Sequence, residues 1–181
     1  MTETADKAAN LHLDLLLDLG LSATAAQATI DIDAVMTQIR RSMDKRELGR
    51  LALRNLDLPI ELADLDILAA LEGCSAHSGE ATVGFVAERL NVDPSRASRI
   101  VGDAVDKGIV RRVASQSDSR RIVLELTETG RAHALAIRKY KWKVFVDALD
   151  QWSEKDLVTF ARLFSRFSDW MAEAKANAGK P

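Results

Sequence analysis

The sequence predicts a mostly α-helical chain with a small two- to three-stranded β wing and further helices at both ends. Three observations carry this reading. Apolar residues recur at helical spacing over most of the 181 residues, and only three prolines and nine glycines interrupt them. Asp93-Pro94 marks a helix start just after a shorter helical run. Val110–Ala114 and Arg121–Leu126 then read as two strands around a polar stretch, Ser115–Arg120, and the second strand alternates clearly.

Residues 1–22 form an N-terminal extension. It is polar and alanine-rich to about residue 9, a composition expected to stay unfolded. Leu11–Leu21 follows as a short leucine-dense helix, too apolar to remain in water, and is expected to cover part of the core or of a partner. Ser22 or Thr24 caps the next helix, predicted to run unbroken from Ala23 to about Leu53. Its apolar face holds Ile32, Val35, Met36, Ile39 and Met43. Arg40, Arg41, Asp44, Lys45 and Arg46 lie on a solvated face. Leu58-Pro59-Ile60 breaks the chain. Glu61–Gly73 reads as a helix packed through Leu62, Leu65, Leu68, Ala69 and Leu71, and Cys74–Gly79 reads as a loop.

Thr82–Leu126 is the stretch around which the chain is organised. Val83–Leu90 is a short helix that breaks at Asn91-Val92. Asp93 is a good N-cap, since its carboxylate can accept from free first-turn N–H groups, and Pro94 fits the first helical position, where it has no N–H to waste. Ala97, Ile100, Val101, Ala104 and Val105 pin the second helix, 93–107, to a core. Ser95, Arg96, Ser98, Arg99, Gly102 and Asp103 face away, and Gly108 ends the helix. Helix, turn, helix and hairpin (wing 109–126) make a winged helix-turn-helix. A helix of this kind fits the major groove of B-DNA, and a basic hairpin can reach phosphates or a minor groove.

Thr127 caps a long helix running to about Leu149. Ser153 starts another, with Leu157, Phe160, Ala161, Phe164, Phe167, Trp170 and Met171 on one face, and the tail frays from Lys175.

The net charge of −2 by itself argues against nucleic acid, but the distribution of charge matters more than its sum. Arg89–Arg121 holds eight bases against four acids, a local +4, while residues 1–31 hold one lysine against five acids, a local −4. That is a basic reading surface on an otherwise acidic protein. The single cysteine, Cys74, excludes an intramolecular disulfide and suits the cytoplasm. No stretch approaches a membrane span. Cys74, His77, His12 and His133 show neither nucleophile nor metal spacing, and no glycine-rich phosphate loop is present, so neither catalysis nor a cofactor is expected.

Leu90–Arg99, Lys107–Arg112, Asp118-Ser119-Arg120-Arg121 and Leu126-Thr127-Glu128-Thr129-Gly130-Arg131 resemble the multiple antibiotic resistance regulator (MarR) family. The sharper match is the wing signature, an Asp and an Arg two apart leading into a strand and then Leu-Thr-x-x-Gly-Arg. The resemblance covers roughly residues 30–172 in element order, and the letters agree well only from about Thr82 to Arg131. It implies double-stranded DNA as partner and a homodimer built from a first dimerisation helix (23–57) and C-terminal dimerisation helices (127–177). The winged helix-turn-helix between them spans 58–131. A lone recognition helix reads too few base pairs to be selective, and a two-fold protein matches a palindromic operator. The resemblance further implies a repressor released by a small aromatic or lipophilic effector. Some members sense peroxides through a cysteine on their first helix, whereas Cys74 follows the second and has no base beside it, so an incidental thiol is expected.

The expected DNA contacts are Ser95, Arg96, Ser98 and Arg99 on the recognition helix, with Arg112, Asp118, Arg120 and Arg121 from the wing. Arg120 is expected in a minor groove, with Asp118 orienting it or shaping the turn. The competing class is a winged helix used for protein contacts without specific DNA binding.

Overall fold

Side-chain caps set most of the helix starts. The computed structural model describes residues 11–76 and 80–170. In it, Ser22, Thr82, Asp93, Thr127 and Ser153 each accept a hydrogen bond from a first-turn N–H of the helix they precede. The elements are α1 (residues 11–18), α2 (Ala23–Asp44), α3 (Glu47–Leu56), α4 (Leu62–Ala76), α5 (Val83–Leu90), α6 (Pro94–Asp106), β1 (Val110–Ala114), β2 (Ile122–Leu126), α7 (Glu128–Leu149) and α8 (Glu154–Ser168).

One core serves the middle of the chain. Ile67 and Leu68 from α4, Val86 from α5, Val101 from α6, and Ile109 and Val110 beside the hairpin are its large, fully buried side chains. The apolar face expected of α6 is the face observed, with Ala97, Val101 and Ala104 buried and Ile100 and Val105 half-buried. The strands are antiparallel, Val110 opposite Leu126 and Arg112 opposite Leu124. Among the described residues the sheet has two strands. The Leu124 N–H also donates to the Ala81 carbonyl at 2.7 Å, so the segment before α5 lies against the edge of β2.

Two expectations are corrected. The helix predicted to run from Ala23 to Leu53 is two helices, because Arg46 adopts left-handed φ (53°) between α2 and α3. No glycine or proline marks this break. A non-glycine residue held there costs about 1–2 kcal/mol. Arg46 offsets that cost by turning inward from the supposed solvated face, donating to the Leu62 carbonyl at 2.6 Å and to Asp66 Oδ1 at 2.7 Å. The loop expected at Cys74–Gly79 is also shorter, since α4 continues to Ala76 and buries Cys74. His77, Ser78, Gly79, Met171, the first ten residues and the tail lie outside the described residues.

The terminal helices present a different surface. α8 is amphipathic yet has no buried residue: Phe160 and Phe164 are each close to half exposed and Phe167 is 37 % exposed, and Trp170 just beyond its end is close to half exposed as well. These aromatics therefore do not fill the core of the single chain. Ile32, Val35 and Ile39 of α2 face the same open apolar groove, of about 410 Å³, as Phe160, Phe164 and Phe167. Leu11, Leu15, Leu17 and Leu19 are exposed as well. Among the described residues no helix is long and apolar enough to cross a membrane.

Candidate nucleic-acid interface

α6 is fixed at both ends by its own sequence. Asp93 Oδ1 accepts from the Arg96 N–H at 2.9 Å, and Pro94 opens the first turn. At the other end Gly108, at φ 69°, lets the Ile109 N–H reach the Ala104 carbonyl (3.1 Å) while its own N–H reaches Val105 (2.9 Å). This is a Schellman motif, and its left-handed residue favours glycine. With one face buried, Ser95, Arg96, Ser98 and Arg99 all lie on the exposed face.

The wing is held by contacts that sequence reading missed. Ser115 is buried, only 5 % exposed. Its Oγ donates to Glu80 Oε1 and accepts from the Ser117 and Asp118 N–H groups at 3.1 Å each. Asp118 Oδ1 accepts from the Arg120 N–H at 3.0 Å, and the Asp118 carbonyl from the Arg121 N–H at 2.9 Å, so Asp118 shapes the turn through backbone groups. The Ser115 hydroxyl above all, with Ser117 and Arg121, holds the Glu80 carboxyl below the usual range. Glu80 lies 35 residues before Ser115, and nothing local announces that pairing.

Ion pairing sorts the eight bases of this stretch. Lys107 Nζ meets buried Asp64 at 2.7 Å, a hydrogen bond that raises the ammonium above the usual lysine range. Arg111 pairs with Glu125 across the hairpin at 2.7 Å, and Arg121 lies 3.4 Å from Glu80. Among the described residues, Arg89, Arg96, Arg99, Arg112 and Arg120 have no acidic group within 4.0 Å, and all five are exposed. Arg89 sits on α5, two of the others on α6, one on β1 and one at the wing turn. Such a set can meet phosphates and base edges without first losing an internal partner.

A family model described as the MarR family matches residues 58–121. Transcriptional regulators of the helix-turn-helix type from Mycobacterium bovis and Mycobacterium tuberculosis are each 28 % identical over 133 residues, 74 % of this chain and 85 % of theirs. A MarR family protein of Bacillus stearothermophilus has the same fold, with a TM-score of 0.66 at 20 % identity over 81 % of this chain and 96 % of its own. The chain is similar to the MarR family across its winged helix-turn-helix. It is a DNA-binding transcription regulator with a winged helix-turn-helix.

The Leu-Thr-x-x-Gly-Arg signature has a structural meaning in this chain. Thr127 Oγ1 donates to the Gly108 carbonyl (2.6 Å) and accepts from the Gly130 N–H (3.0 Å), while the Thr127 N–H donates to the Ile109 carbonyl (3.1 Å). A Cβ on Gly130 would stand 2.0 Å from the Ile109 oxygen. Arg131 donates to the Leu126 carbonyl at 2.5 Å. The motif is a clasp that ties the end of the recognition helix and the return of the wing to the start of α7. Burial pushes the Cys74 thiol up, away from the reactive thiolate.

Proposed function

We propose that this protein is a MarR-family regulator that binds a two-fold symmetric operator as a homodimer and represses transcription until a small aromatic or lipophilic ligand releases it. The DNA mode is carried by the four exposed arginines of α6 and the wing that lack an acidic partner. Arg96 and Arg99, flanked by Ser95 and Ser98, enter the major groove. Arg120 reaches the adjacent minor groove from the turn that Asp118 shapes, and Arg112 meets backbone phosphate. Arg121 must first part from Glu80, and so ranks below these four.

Dimerisation is supported by α8, a helix with aromatic residues along one face and none of them buried. An amphipathic helix of this kind gains its stability from the surface it covers, and the α2–α8 groove supplies a self-complementary seam. The ligand reading rests on a cavity of about 330 Å³ between α4 and α7, lined by Leu65, Leu68, Ile137 and Trp142 with Arg138 and Lys141 at its edge. Its volume suits a small molecule. A solved structure of Staphylococcus aureus MepR, which shares the fold, carries ethidium bromide (18 % identity, TM-score 0.56). The protein works in the cytoplasm, where its DNA is.

Titration against labelled operator fragments at several salt concentrations tests the interface. Binding should fall linearly on a log–log plot, by about 0.9 in slope for each phosphate neutralised. A flat response contradicts the reading.

A further inference from the structure

The first turn of α4 is gripped from two directions. On one side Arg46, at the left-handed break between α2 and α3, donates to the Leu62 carbonyl and to Asp66. On the other side Lys107, the C-cap of the recognition helix, places Nζ 2.7 Å from Asp64 Oδ2 and 3.7 Å from Glu61 Oε2. The Asp64 side chain is 4 % exposed, and the same Oδ2 accepts from the Glu61 N–H at 2.7 Å. Two cations 61 residues apart thus converge on one helical turn. One belongs to the N-terminal helices that carry the apolar seam, and the other ends the helix that enters DNA.

A buried carboxylate is a costly way to hold two helices together, and apolar side chains of similar volume often do as well or better. Apolar packing is non-directional, however, and a hydrogen-bonded ion pair fixes distance and angle. We infer that Asp64 and Lys107, anchored through Arg46, are positioning residues that set the tilt and reach of the recognition helix relative to the dimer frame. They thereby determine which half-site spacing the protein accepts. This rests on the two-fold operator reading above. Each added base pair moves one half-site by about 3.4 Å and turns it by roughly 35°, so a rigidly held helix pair tolerates few spacings.

The test measures binding of the full chain to duplexes whose half-sites are moved together or apart by single base pairs. Wild-type protein should lose at least about tenfold in affinity, roughly 1.4 kcal/mol, for one step from the optimum. The variant Asp64→Asn with Lys107→Met removes both charges and leaves neither unpaired. It should remain folded by circular dichroism, while its one-step penalty shrinks to about threefold or less, under 1 kcal/mol. If the ion pair only stabilised the fold, the melting temperature would move and the spacing penalty would stay, which would overturn the inference. Should the double variant fail to fold, Lys107→Met measured below its melting temperature carries the same prediction and the same contradiction. A wild-type protein indifferent to spacing would instead remove the two-fold operator reading, and this inference with it.

Discussion

Gly130 shows how a single residue can be fixed by what it must approach. Its Cβ position falls on the Ile109 carbonyl oxygen, which already accepts from the Thr127 N–H. Gly130→Ala should therefore cost about 1–3 kcal/mol of stability, toward the upper end because the clash is with backbone, and denaturant unfolding measures this directly. Arg120 has a different role, with no acid in reach and a turn held by Asp118 and Ser115. Because the minor groove presents a degenerate pattern, Arg120→Ala should weaken binding to most sequences evenly, apart from a bias involving narrow A·T-rich grooves. Unchanged affinity in a duplex titration would remove the wing from the interface. Glu80 adds a pH dependence whose sign is fixed. Its folded carboxyl is held below the ordinary value, so its stabilisation is fully present above the ordinary glutamate range and is lost as pH falls through the depressed folded value. Glu80→Gln should remove that part of the acid sensitivity, as followed by unfolding at stepped pH.

The recognition helix was legible in the sequence almost to the residue, because its signals are local: Asp93-Pro94 at the start, Gly108 at the end, and an apolar face between. Asp93→Ala removes the cap and should cost about 1 kcal/mol, readable as a lower melting temperature with little change in the rest of the fold. The start of α8 at Ser153 was equally plain. Elements set by distant partners were not legible. The α2–α3 break depends on Arg46 reaching residues 16 and 20 positions away, and the wing depends on Glu80, 35 residues before Ser115. The same limit applied to the charge count. It gave a net +4 for the stretch, but three of its eight bases pair with acids that lie outside the stretch, which leaves the exposed arginines as the deployable set. The winged head and the exposed face of α6 could thus be read from local pattern, whereas the clasp at Thr127–Arg131 required the fold.

At the scale of the molecule, one buried core supports the DNA-reading head, and the terminal helices hold an apolar surface that the single chain leaves open. Two copies joined there would cover it. Phe164→Asp places a charge in that seam and should lower dimerisation and stability together, with sedimentation at micromolar concentration shifting toward monomer; a wild-type monomer under those conditions would contradict the assembly. The central claim, sequence-specific reading by α6 of two copies, is tested most directly by selecting bound duplexes from a random library with wild-type protein and with Arg99→Ala. The expected wild-type result is an enriched two-fold symmetric site. The expected variant result is the same site with preference relaxed at one position in each half, corresponding to about 1–3 kcal/mol of lost discrimination. A library from which wild-type protein enriches no sequence at any salt concentration, or an Arg99→Ala selection identical to wild type, would contradict it.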